Sequence, residues 1–213
     1  MSTSSGDQFQ RFAFVSSYDV EIDPEFPAAG SWAHTVHAFN RDGDLVDEIE
    51  SNWGAPRALV VHPSVSESWV GLFAHSGLDG VSGVFAMPGS SSLCVSIGGL
   101  ALVLNVDQPE DGALVASASA QQVVASAVPA LLLVSTFTEL TAFDGNGIAW
   151  RSPRLALDDL HILAIDGMTI RCTGTCDSGS SVLVEVNALT GLPKSRTLKR
   201  GRNAWRAIRR NPT

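Results

Sequence analysis

Hydrophobic positions along this chain alternate in twos rather than in threes and fours. Arg57–Val61 and Ser68–Phe73 flank the polar stretch His62–Glu67, and Leu100–Val106 is a continuously apolar run. Leu131–Phe137, Leu140–Phe143 and Ile148–Arg151 follow in quick succession, and His161–Ile165, Met168–Cys172 and Val182–Val186 complete the set. β-Branched and aromatic residues cluster in these runs, with Gly, Asn, Asp, Ser and Pro between them, which is the pattern of strands joined by turns. Short strands at a spacing of about 8–12 residues predict an all-β fold, either a sandwich or a propeller. Ala113–Val128 is rich in Ala and Ser and suits a short helix, but Val123, Val124 and Pro129 suit a strand that ends at a turn. We read it as strand.

The chain also repeats itself. His37–Leu45 (HAFNRDGDL) aligns with Thr141–Ala149 (TAFDGNGIA): strand, Ala-Phe, Asn or Asp, turn residues with Gly, second strand. Val184–Leu192 is a third copy without the Ala-Phe, and Leu102–Asp107 with Gly112 is a looser fourth. The Asn or Asp caps a tight turn with its side chain, and Gly takes positive φ where the chain reverses. Asn105 and Asp144 are 39 residues apart, and Asp144 and Asn187 are 43 apart. Both intervals match the period of about 40–50 residues expected of propeller blades. Asn40 and Asn105 are 65 apart, so the first half carries extra chain.

Leu131–Arg151 (LLLVSTFTELTAFDGNGIAWR), together with Val184–Gly191 (VEVNALTG), resembles the quinoprotein-type repeat of β-propellers. In that repeat an apolar strand leads to Ala-Leu/Phe-Asp, a turn Gly and a Trp on the next strand. The resemblance implies that Trp150 is that Trp and Gly191 that Gly. Ala58–Gly71 (ALVVHPSVSESWVG) is similar to the strand–turn–strand of NHL- and WD-like blades. The resemblance covers about 100 residues in pieces, and Pro193 and Lys194 stand where a second Trp would follow Gly191. It implies a propeller-like array of about four to five blades, with an open or sandwich-like arrangement as the alternative. It specifies architecture and no activity.

Composition narrows the class. Of 213 residues, 45 % are hydrophobic and 17 % charged, enough apolar side chain for a real core and too little charge for a long-helix protein. The net charge of −8 argues against a general nucleic-acid coat, but it averages two unlike parts. Eight of the 14 basic residues lie in Lys194–Thr213, where there is no acid, so that stretch carries +8 and the rest −16. We therefore divide the chain into an all-β domain, residues 1–193, and a basic C-terminal tail, residues 194–213. Within the tail, Asn203–Arg210 (NAWRAIRR) suits a short helix with Trp205 and Ile208 on one face and Arg206, Arg209 and Arg210 around it. Such a tail suits an acidic protein, a nucleic acid or an anionic surface, or folds back on its own acidic body. Met1–Gln10 is polar and does not begin like a secretory leader. Val123–Phe137, interrupted by Pro129, is shorter than the ~20 residues that cross a bilayer, so no transmembrane segment is expected. With three cysteines and no disulfide framework, the expectation is a cytoplasmic protein.

No catalytic constellation emerges. His34 and His37, three apart in a strand, point to opposite faces, and His62, His75 and His161 have no sequence-local partner. Cys172 and Cys176 enclose three residues, which fits neither a zinc knuckle nor a redox pair, and reads as two packed thiols with a disulfide left open. Asp42-Gly43-Asp44 and Asp144-Gly145-Asn146-Gly147 read as turns rather than calcium loops. The Ser-rich stretches lack a nucleophile elbow, and Gly98-Gly99 reads as a bulge or strand break. Carboxylate pairs such as Glu48 with Glu50 read as solvated surface. No metal and no cofactor are expected. Trp69 and Trp150 read as rings packed between sheets, whereas Trp32 and Trp53, beside Gly, Ser, Asn and Pro, read as loop anchors for a partner. The sequence thus favours a non-catalytic binding or scaffold domain that engages a protein partner through its loops and tail, with Trp32, Trp53, Trp205, Arg206, Arg209 and Arg210 as contact residues. The alternative is a lectin-like module for a glycan or small ligand, and after it a hydrolase with convergent carboxylates.

Overall fold

The computed structural model describes residues 8–28, 30–50, 52 and 54–198. Among them the protein is all-β, in four open sheets of four or five strands. The N-terminal half supplies β1 (Phe9–Gln10), β2 (Tyr18–Ile22), β3 (Thr35–Phe39), β4 (Leu45–Val46), β5 (Arg57–Pro63), β6 (Trp69–Phe73), β7 (Gly83–Ala86), β8 (Ser92–Ile97) and β9 (Leu100–Asn105). The remainder are β10 (Leu114–Ser117), β11 (Gln122–Ala127), β12 (Ala130–Ser135), β13 (Leu140–Asp144), β14 (Gly147–Arg151), β15 (Asp158–Asp166), β16 (Thr169–Thr175), β17 (Ser181–Asn187) and β18 (Pro193–Leu198).

Sheet I has the order β2-β5-β6-β3-β4, sheet II β1-β7-β8-β9-β10, sheet III β11 to β14 and sheet IV β15 to β18. Sheets III and IV are plain antiparallel meanders, and so is β7 to β10 of sheet II. Two pairings are parallel: β1 with β7, and β3 with β6. The long first interval of the repeat now has a cause. After the Asn40 corner the chain adds β5 and β6 back onto sheet I before the β7 to β10 meander of sheet II begins.

Ala113–Val128 forms β10 and β11, and the latter ends at the two-residue turn Val128–Pro129. Gly98-Gly99 is not a bulge. It is a two-residue hairpin turn between β8 and β9, with φ of 57° and 89°, the positive pair that glycine adopts without a Cβ clash. The first residues of the basic segment, Lys194–Leu198, pair with β17 in sheet IV; the rest of that segment, with its expected helix, lies outside the described residues.

The sheets pack in the order I, II, III, IV, each layer sharing an apolar cluster with the next. Leu59, Val61, Trp69 and Phe73 of sheet I meet Val84, Leu93, Val95 and Leu102 of sheet II. Phe85, Met87 and Cys94 on the other side of sheet II meet Leu132, Val134 and Phe143 of sheet III. Leu131, Leu133, Leu140 and Trp150 meet Leu160, Ile170, Cys172, Val182 and Val184 of sheet IV. Runs such as Leu131–Val134 are uniformly apolar because both faces of a middle sheet are covered and successive residues face opposite layers. In β17, a strand of an end layer, Val182, Val184 and Val186 are buried while Leu183, Glu185 and Asn187 are only half-buried.

Candidate partner-binding surface

Each sheet carries one of the repeated corners, and in each the Asn or Asp side chain holds the turn. Asn40 Oδ1 accepts the amides of Asp42 and Asp44, both at 2.9 Å. Asn105 Oδ1 accepts Asp107 N–H at 3.1 Å, Asp144 Oδ1 accepts Asn146 N–H at 2.7 Å, and Asn187 Oδ1 accepts Leu189 N–H at 2.9 Å. These are local hydrogen bonds that Asx side chains make with the backbone two residues on.

The preceding layer closes on these corners. Trp69 of sheet I donates its indole N–H to the Val106 carbonyl at 2.9 Å, one residue past Asn105. Trp150 of sheet III donates to the Ala188 carbonyl at 2.8 Å, one residue past Asn187. At the latter contact Gly191 has φ of +69°, and a Cβ there would lie 2.8 Å from Cδ2 of Trp150, so the ring fits because the residue beneath it has no side chain. The Asp144 corner is met by backbone instead: a Cβ on Gly89 of sheet II would stand 3.1 Å from the Gly145 carbonyl oxygen.

Sheet I begins the stack, and its corner is also met by backbone: Ala113, leading into β10 of sheet II, donates its N–H to the Gly43 carbonyl at 2.8 Å. A cavity of about 280 Å³ opens beside Asn40, Arg41 and Asp42, with Val46, Ile49 and Ala74 as its apolar lining and Glu48 and Glu50 among its acids. The acids belong to a dense run: Asp42, Asp44, Asp47, Glu48 and Glu50 fall within nine residues. A shallower groove continues along Val36, Ala38 and Val46. Strand register places Val36, Ala38, Val46, Ala58, Val60, Val70 and Leu72 on the face of sheet I turned away from sheet II. Val60 and Val70 are buried there, and Val36 is 42 % exposed. The strand β4 pairs with Ala38 and Phe39, so among the described residues Thr35–His37 of β3 have a sheet neighbour on one side only. Burial lowers the pKa of His37, whose ring stands edge-on to Trp69 with centroids 5.6 Å apart.

Trp32, three residues before β3, is half-buried and packs edge-on against Phe26 at 5.4 Å and 89°. Phe26 is 60 % exposed, so the pair forms an aromatic surface element. Trp53, Trp205, Arg206, Arg209 and Arg210 lie outside the described residues. Phe26, Val46, Ile49 and Ala74 were not singled out from the sequence. The acidic run 42–50 was the signal that would have pointed to the cavity.

Chemistry elsewhere is sparse. Among the described residues no group of three or more His, Cys, Asp or Glu side chains is placed to hold a metal ion. His161 Nε2 lies 2.9 Å from an Asp159 carboxylate oxygen on the exposed surface. His75 Nδ1 accepts the Gly77 amide at 2.9 Å, and His62 Nδ1 lies 2.9 Å from Ser68 Oγ. All three cysteines are free and buried. Burial pushes the Cys94 and Cys172 thiols up to about 12, whereas the Ser178 hydroxyl, bonded to the Cys176 sulfur, draws that thiol down. Among the described residues no helix is long and apolar enough to cross a membrane. A scan of known protein-family models and a search of curated proteins both find no match to this chain.

Proposed function

We propose that this protein is a non-catalytic binding or scaffold domain that engages a protein partner through the loops and edge of sheet I, with the four sheets arranged as blades of a propeller-like array. The array is supported by the successive four-stranded meanders β7 to β10, β11 to β14 and β15 to β18, and by the two matching Trp contacts between layers. The observation that carries the binding reading is the surface ring pair of exposed Phe26 and half-buried Trp32 just before strand β3, which is half-paired among the described residues. An edge-on aromatic pair with few rotatable bonds anchors a partner side chain at low entropic cost, and an open strand edge accepts an extended segment by backbone pairing.

The test is affinity capture followed by quantitative binding with the purified partner. Trp32→Ala combined with Phe26→Ser is expected to weaken binding about 30-fold, as for a hot-spot aromatic, with thermal unfolding nearly unchanged. A partner bound equally by the variant overturns the assignment of the surface. Glycan-array binding lost on Trp32→Ala would move the reading to a carbohydrate module, and a measured turnover without any partner would end it.

A further inference from the structure

We infer that Asn146 is a site of spontaneous covalent modification in the folded protein. Its side-chain carboxamide closes onto the backbone of Gly147 and is converted by water to a mixture of aspartate and isoaspartate. The turn Asp144-Gly145-Asn146-Gly147 joins β13 to β14, and Asn146 is the one asparagine of the sequence that Gly follows. Asn40, Asn105 and Asn187 precede Arg, Val and Ala. A side chain at that next position crowds the backbone nitrogen that must attack, and glycine leaves it open.

The geometry separates the same residues. Asn40, Asn105 and Asn187 each commit Oδ1 to a backbone amide and so hold their own corners. At the third corner that task falls to Asp144, which accepts the Asn146 N–H. The Asn146 carboxamide is therefore spare: it is exposed and makes no hydrogen bond among the described residues. The space beside Gly147 is open too, with no atom within 4 Å of where a Cβ would stand. Asp42, Asp79, Asp111, Asp144 and Asp166 also precede glycine, but a carboxylate resists the attack that a neutral carboxamide accepts.

The step balances with water alone. The Gly147 nitrogen attacks Cγ of Asn146, a Cγ–N bond forms, the backbone nitrogen loses its proton, and the carboxamide nitrogen leaves as ammonia. Water then opens the resulting succinimide. Cleavage of the new Cγ–N bond gives aspartate at position 146. Cleavage between that nitrogen and the backbone carbonyl carbon gives isoaspartate, with the chain running through Cγ and lengthened by a methylene. Either product adds a carboxylate two residues from Asp144, at the corner where Gly89 of sheet II comes up to the Gly145 carbonyl.

The inference is independent of the partner reading and is tested on the full chain. The protein is kept at mildly alkaline pH with and without urea, and the peptide containing position 146 is followed by mass spectrometry with electron-transfer fragmentation, which separates isoaspartate from aspartate. Without urea, both products are expected at position 146, forming at least about tenfold faster than any change at Asn40, Asn105 or Asn187. Hydroxylamine, which cleaves a chain at a succinimide, is expected to cut the folded protein between positions 146 and 147. Asn146→Gln is expected to abolish both signals, because the longer side chain has to close a larger ring, and to leave Tm unchanged. Reaction at position 146 in urea but not in the folded chain overturns the proposal. So does aspartate formed without isoaspartate, or equal rates at the other three asparagines.

Discussion

Trp150 ties sheet III to sheet IV, and its replacement by Ala tests whether the layers are held by the repeated ring contact. The ring lies in the cluster formed by the two sheets and is 8 % exposed, so truncation removes most of a buried indole and leaves a cavity beside Gly191. Trp-to-Ala changes of this kind cost about 3–5 kcal/mol. For a chain of this size such a loss lowers Tm by about 6–20 °C. Trp150→Phe separates the two contributions. It keeps much of the apolar contact but leaves the Ala188 carbonyl without its indole donor, for a cost of about 1–3 kcal/mol. Urea unfolding gives the totals, and amide hydrogen exchange locates them. Amides in β16 and β17 are expected to exchange faster in Trp150→Ala, while those in β8 and β9, one layer further away, stay protected. A loss below about 1 kcal/mol, or acceleration spread evenly over all four sheets, would refute the reasoning, because a joint between two layers must act mainly on those layers.

Three further outcomes follow from the same geometry. Gly191→Ala forces a side chain into a φ of +69° and against the Trp150 ring, so the urea midpoint is expected to fall by about 1–3 kcal/mol of stability; a wild-type midpoint would contradict the docked ring. Asn40→Ala removes two amide acceptor contacts and Asn187→Ala one, so at about 0.5–1.5 kcal/mol per bond Asn40→Ala is expected to cost roughly twice as much in chemical denaturation, and equal costs would reject that ranking. Cys94 and Cys172 ionise near 12 when folded and near 9 when unfolded, so above pH 9 the unfolded chain sheds protons that the folded chain keeps. Their contribution to stability is complete below pH 9 and is lost as pH rises toward 12, at about 1.4 kcal/mol per pH unit for each thiol. Denaturation between pH 9.5 and 11 checks this, and Cys94→Val is expected to halve the thiol share of the slope.

What was legible along the chain was what depends on near neighbours. The corners at Asn40, Asn105, Asp144 and Asn187 could be read because an Asx side chain bonding two residues on leaves its mark within a few positions. Trp69 and Trp150 were readable as rings between sheets because each sits in an apolar run on one side of a reversal. Gly98-Gly99 read as either a bulge or a strand break, and the structure makes it the break; the two stayed undivided because on both sides of it the residues are apolar, since sheet II is covered on both faces, and no polar boundary announced the turn. The sites were less legible than the fold. The Phe26–Trp32 pair joins residues six apart across a loop, and the cavity joins residues 40–50 with Ala74.

The alternation of apolar and polar residues, the turn chemistry and the repeat interval determined on their own that the chain is all-β and where its corners fall, because strand period and turn conformation are settled within a few residues. Only the tertiary structure decided that β5 and β6 return to the first sheet, that β3 runs parallel to β6, and that the layers follow one another from I to IV. Those choices depend on which apolar faces cover one another, a sum over contacts between residues far apart in the chain, and no local pattern contains that sum.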